Sequence, residues 1–129
     1  YYDIQDRVNF RGHVGASGDI WAVNHVLIIS SRIESGPMVL AEAMLSGRPV
    51  VATPVGMVRE WVQDRVNGFV AEASLPQALN AALDACWHER EQWAAMGQAA
   101  TLTARQRIVS NPAKEFLDLL LSSSNASVN

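Results

Sequence analysis

SSRIESGPMVLAEAMLSGRP, residues 30–49, follows the apolar run Val26-Leu27-Ile28-Ile29 and reads as a loop leading into a buried helix. The run before it is strand-like, so the unit is strand, tight loop, helix. Gly36 lets the backbone turn sharply. Pro37 suits the first helical turn, because it has no N–H to leave unpaired and its φ is already helical. The N–H groups of Met38, Val39 and Leu40 then lack intrahelical partners, and with the helix dipole they form an anion site fit for a phosphate.

From Met38 to Leu45 the only charge is Glu42. Burying that carboxylate unpaired would cost on the order of several kcal/mol, so it either edges into solvent or grips a ligand. Glu34 lies in the loop and Glu42 about one turn into the helix, where side chains lean back toward the N-terminus. Both therefore approach one volume. Two carboxylates beside a phosphate are compatible with neutral hydroxyls, provided a cation offsets the phosphate charge. A nucleotide-sugar has that mixture of groups.

Working outward, Pro49 to Thr53 is a second apolar strand, Pro54-Val55-Gly56 a turn, Val58 to Gln63 a short helix, and Asn67-Gly68 a turn before the strand Phe69 to Ala71. Upstream, Val8 to Phe10 reads as a strand running into Gly12. Ser17 to Asn24 reads as a helix, with Ser17 as its N-cap, Asp19 in its first turn, and Trp21 and Val23 partly buried. His25 is most economically structural. This alternation implies right-handed βαβ units and a parallel sheet flanked by helices, an α/β Rossmann-like arrangement. Val26 to Ile29 suits an interior strand covered on both faces. Ligands in such sheets bind beyond the carboxyl ends of the strands, where Gly12, Glu34 and Gly56 fall.

Ser74-Leu75-Pro76-Gln77 has the pattern of a capping box. The helix after it places Leu79, Ala82, Leu83, Cys86 and Trp87 on one face. A further helix over 91–108 packs through Trp93, Met96 and Ala100, and a last one starts at Pro112 with Phe116, Leu117, Leu120 and Leu121 apolar. Residues 1–121 form one domain and the polar stretch 122–129 a disordered tail.

The 129 residues are 49% hydrophobic and 18% charged, the composition of a globular domain. A net charge of −3 with a pI near 5.5 gives no basic footprint for nucleic acid. A single cysteine, Cys86, excludes an internal disulfide and a Cys-based zinc site. The sequence carries no Gly-rich Lys-Ser/Thr phosphate loop, no Gly-x-Ser-x-Gly elbow and no His/Glu metal spacing, so P-loop, α/β-hydrolase and zincin chemistry are set aside.

Glu34 and Glu42 with seven residues between them, Gly36-Pro37 inside, and Gly47-Arg48-Pro49-Val50-Val51 after them resemble the E-x7-E signature of retaining GT-B glycosyltransferases of family 4. Val8-Asn9-Phe10-Arg11-Gly12 resembles that family's V-x-F-x-G strand. Thr53-Pro54-Val55-Gly56, Glu60 and Asn67-Gly68-Phe69-Val70 keep its order, while Met57 stands where a second glycine is common. The resemblance covers roughly residues 7–97. It implies the C-terminal, donor-binding half of a GT-B fold with the first part of that domain missing.

By family position Glu34, the catalytic candidate, would bind hydroxyls of the donor sugar, and Glu42 the ribose hydroxyls. Main-chain N–H groups of Gly36, Met38 and Val39 would meet the sugar or diphosphate, with Pro37 starting the helix and Gly12, His13 and Val14 near the base. Arg32 is the one base inside the signature, either a phosphate contact or a surface arginine. For His13 an ordinary loop histidine is the simpler reading. The resemblance implies transfer from a nucleotide-sugar with no obligatory metal or other cofactor. It further implies a cytoplasmic enzyme that admits peripheral membrane association, and an acceptor domain absent from this chain, which would leave the chain inactive alone. A non-catalytic nucleotide-binding or interaction module of truncated Rossmann type is the other reading.

Overall fold

The computed structural model describes residues 3–125. Three parallel strands form the sheet in the order β1-β2-β3: β1 (Leu27–Ile29), β2 (Val50–Ala52) and β3 (Gly68–Val70). Leu27 pairs with Val50 and Val50 with Gly68, and this register continues through Ile28, Val51 and Phe69 to Ile29, Ala52 and Val70. The crossovers are α2 (Met38–Leu45) and α3 (Val58–Trp61). Before β1 lies α1 (Ser17–Val23), and after β3 come α4 (Pro76–His88), α5 (Trp93–Arg107) and α6 (Pro112–Asn125). The α/β parallel sheet flanked by helices is therefore as expected.

The alternation of side chains along each strand divides the core. Leu27, Ile29, Val50 and Ala52 pack with Trp21 of α1, Leu40, Ala43 and Met44 of α2, Val58 and Trp61 of α3, and Ala100 and Ala104 of α5. Val51 and Phe69 face the other way, onto Ala82 and Cys86 of α4 and Met96 at the start of α5. The central strand is buried at all three positions.

Helix α5 lies against α2 at backbone distance. Gly47 ends α2 with φ +70°, and a Cβ on Gly97 would stand 2.0 Å from the Gly47 carbonyl oxygen. Thr101 adds a hydrogen bond, its Oγ1 donating to the Met44 carbonyl at 3.0 Å. Gly68 is equally constrained, since a Cβ there would meet the Val50 carbonyl oxygen at 2.3 Å.

Several local expectations are corrected. Residues 8–14 form no strand, because a strand exists only where a neighbour completes its ladder, and Phe10 is 93% exposed. Strand β1 is an edge strand with Ile28 open to solvent, not covered on both faces. Val23 is exposed, and α1 takes Ala16 rather than Ser17 as its N-cap. Leu75 is the N-cap of α4, with no side-chain cap bond, so no capping box forms. Trp87 is exposed: its ring meets Trp93 edge-on and carries the Arg90 guanidinium over its face. Helix α3 ends at Trp61, and the turn before β3 covers residues 65–67 with its left-handed residue at Arg65.

Helix α6 continues through residues 122–125, where a disordered tail was expected, and residues 126–129 lie outside the described residues. Phe116 and Leu117 on it are exposed. Among the described residues no helix is long and apolar enough to cross a membrane.

Candidate functional site

The loop that leaves β1 and the loop that leaves β2 are bound to each other. Thr53, directly after β2, is 2% exposed and must satisfy its hydroxyl inside the protein. Its Oγ1 donates to the Ser31 carbonyl at 2.6 Å, and its N–H donates to the Ile29 carbonyl at 3.0 Å. Further on, Gly56 has φ +49°, and a Cβ on it would lie 2.2 Å from the Ser35 carbonyl oxygen and 2.8 Å from that of Glu34. The Met57 N–H then donates to the Ser35 carbonyl at 3.2 Å. Residues 31–35 are thus held from the β2 side at three points.

That clamp fixes the backbone on which Glu34 stands. Its carboxylate is exposed and accepts a hydrogen bond from Ser31 Oγ at 3.1 Å. The chain bends at residue 35, directly before Gly36, and Gly36 follows without a left-handed φ. Its missing side chain instead makes room for Met57, whose Cε would lie 3.2 Å from a Cβ at Gly36. Pro37 is the N-cap of α2, with φ −67° and ψ 114°, one position earlier than expected.

At the helix start the Leu40 N–H donates to the Pro37 carbonyl at 3.0 Å, so it is not a free donor as expected. The N–H groups of Met38 and Val39 remain at the mouth of α2, where the helix dipole favours an anion. Met38 is 74% exposed there, and Val39 is exposed beside it. Glu42 is half-buried on α2. Glu34, Gly36, Pro37, Met38, Val39 and Glu42 therefore belong to one loop and helix at the carboxyl end of β1.

Of the other sequence candidates, Arg32 shares the Glu34 loop, and residues 12–14 lie before α1. Arg32 is exposed and borders an apolar cleft of about 320 Å³, with Ser30, Thr53, Leu75 and Leu79 also lining it. Gly12 has φ +62°, His13 is exposed, and Val14 borders a smaller cleft of about 50 Å³ beside α1 with Arg11, Asp19 and Ile20. The two clefts share no lining residue. Sequence reasoning missed Ser31 and Thr53. A hydroxyl residue ending a buried apolar strand is the only local signal for Thr53, and it does not name the partner.

A family model described as "Glycosyl transferases group 1" matches residues 1–103. The D-inositol 3-phosphate glycosyltransferase of Streptomyces griseus is 36% identical over 104 residues, covering 79% of this chain and 22% of that protein. The N-acetyl-alpha-D-glucosaminyl L-malate synthase of Bacillus anthracis is 35% identical over 69 residues, 54% of this chain and 18% of its own. Among solved structures, Anabaena HepE in complex with UDP-glucose superposes with a TM-score of 0.77 at 29% identity, covering 92% of this chain and 33% of HepE. Sucrose-phosphate synthase from Thermosynechococcus elongatus shares the fold, with a TM-score of 0.79 at 21% identity over 98% of this chain and 32% of that one. The chain spans about a fifth of the length of these curated relatives and about a third of the solved ones.

Proposed function

This chain belongs to the group 1 glycosyl transferases, and from that membership we propose that it is the donor-binding part of a retaining enzyme of glycosyltransferase family 4. The donor is a UDP-, GDP- or ADP-linked sugar, and the product belongs to glycan, lipid-linked or cell-envelope synthesis. One observation carries the reading: Glu34 stands on a loop clamped from the end of β2, and that loop leads into the amino end of α2, which carries Glu42 one turn further on. HepE, similar over nearly the whole chain, is seen with UDP-glucose, which supports a nucleotide-sugar as ligand.

In this reading Glu42 accepts hydrogen bonds from the ribose hydroxyls and Glu34 from hydroxyls of the sugar. The diphosphate lies against the N–H groups of Met38 and Val39. When the bond between the anomeric carbon and the diphosphate oxygen breaks, the electron pair leaves on that oxygen, where fixed N–H dipoles stabilise it. The acceptor oxygen bonds the anomeric carbon on the same face and passes its proton to the departing diphosphate oxygen. No protein nucleophile and no obligatory metal enter the proposal. Arg32 is assigned to the diphosphate, and Gly12, His13 and Val14 to the base. Turnover is proposed for a polypeptide that also carries an acceptor-binding half, with this chain binding donor alone.

The test is an NMR titration of the protein with UDP, GDP and ADP and their glucose or mannose conjugates, repeated on Glu42→Ala. One nucleotide is expected to bind selectively, with affinity falling roughly tenfold in the variant. Absence of any binding at millimolar ligand would overturn the reading in favour of an interaction module without chemistry.

A further inference from the structure

Met57 is fixed by its backbone and directed by its side chain. Its N–H donates to the Ser35 carbonyl, and its own carbonyl accepts from Glu60 and Trp61 at 3.0 and 3.1 Å as α3 begins. The residue therefore has little freedom to move away from the loop that carries Glu34. Its thioether extends over Gly36, with Cε 3.2 Å and Sδ 3.4 Å from where a Gly36 Cβ would be. Gly36 is the residue between the Glu34 loop and the amino end of α2. Met57 is half-buried and packs against the core.

We propose that Met57 forms one wall of the subsite for the transferred sugar and discriminates between donors by that sugar rather than by the nucleotide. This rests on the donor-binding reading above. The thioether adjoins Gly36, two residues from Glu34, which is assigned to the sugar, whereas Glu42, assigned to the ribose, lies further along α2. A methionine gives an apolar, polarisable surface that adapts to the C–H face of a pyranose. Its size limits what stands beside Gly36. An apolar group that fills or vacates such a space changes discrimination by roughly 10- to 200-fold.

The experiment compares wild type, Met57→Gly and Met57→Leu by affinity for three pairs: UDP and UDP-glucose, GDP and GDP-mannose, ADP and ADP-glucose. For the pair that binds, Met57→Gly is expected to shift the ratio of nucleotide-sugar to nucleotide affinity by about tenfold, with the bare nucleotide unchanged within about twofold. Met57→Leu, which keeps the volume, is expected to stay within about threefold of wild type. The second readout uses wild type labelled with 13C at its methionine methyls, with the Met57 signal assigned from the Leu variant. That signal is expected to move with the nucleotide-sugar and stay in place with the nucleotide.

An unchanged affinity ratio in Met57→Gly, or a methyl signal indifferent to the sugar in a protein that does bind nucleotide, overturns the role of Met57 and leaves the donor-binding reading standing. If Met57→Gly does not fold, the methyl signal decides. If none of the six ligands binds wild type, both readings fall together.

Discussion

The Thr53 hydroxyl donates to the Ser31 carbonyl at 2.6 Å and ties the end of β2 to the first residues of the loop that bears Glu34. Ser31 in turn donates through its own Oγ to Glu34 at 3.1 Å. A buried residue directly after β2 is thereby two hydrogen bonds from the carboxylate proposed to hold the sugar. Replacing Thr53 by the near-isosteric Val keeps the packing and removes the donor, leaving the Ser31 carbonyl without that partner. Thr53→Val is expected to lower stability by about 1–3 kcal/mol, read from the urea midpoint. Donor affinity should weaken with it, because the loop loses one of its fixed points.

Gly97 and Gly18 make a matched pair. A Cβ on Gly97 would meet backbone, the Gly47 carbonyl oxygen at 2.0 Å, so α2 and α5 must separate to admit it. Gly97→Ala is expected to destabilise by about 3 kcal/mol or more. At Gly18, in α1, nothing lies within 4 Å of a new Cβ. Gly18→Ala is expected to stabilise by up to about 1 kcal/mol through helix propensity. Equal effects in thermal melts of the two variants would refute the close approach of the helices.

Much of this arrangement is legible in the sequence, for identifiable reasons. Val50, Val51 and Ala52 are buried on both faces, so β2 shows as an unbroken apolar run. The Glu34 to Glu42 unit is contiguous in the chain, so local spacing suffices to find it. What escaped depends on contacts between distant residues. Thr53 and Ser31 are 22 positions apart, and Gly36 meets a methionine from a different loop. Val8 to Phe10 has strand-like residues, but ladder pairing is a property of a neighbour. Trp87 fits the period of α4, yet period states which face a residue shares and not how far the sheet beneath extends; β1 is the edge, and Trp87 lines an open groove together with Ile28 of that strand.

Asn67 is fully buried with every polar atom of its side chain engaged. Its Oδ1 accepts from the Gln63 N–H at 2.8 Å, and its Nδ2 donates to the Trp61 carbonyl and to Thr103 Oγ1, both at 3.1 Å. The side chain fastens the end of α3 to α5. Asn67→Ala strands these partners and is expected to cost about 3 kcal/mol. A double-mutant cycle with Thr103→Val should yield a coupling of about 1 kcal/mol, and additive losses would show that the Asn67–Thr103 bond contributes nothing.

Cys86 gives the pH dependence. Burial against Val51, Phe69 and Met96 pushes its thiol pKa up, and the Trp93 side chain acts in the lowering direction without reversing this. In the unfolded chain the thiol ionises at its ordinary value, so as pH rises past that value the unfolded state loses its proton first. The unfolded state then binds fewer protons than the folded one, and folding stability falls with pH until the buried thiol also ionises. The contribution is fully present below the ordinary thiol pKa and is lost through the raised one. Urea midpoints measured from pH 7 to 10 should decline for wild type more steeply than for Cys86→Ala, which lacks the group. Alkylation of native Cys86 by iodoacetamide at pH 8 should run at least about tenfold slower than that of the unfolded chain, since thiolate and access are both reduced. Equal slopes together with equal alkylation rates would mean that the thiol is not held neutral in the core between α4 and the sheet.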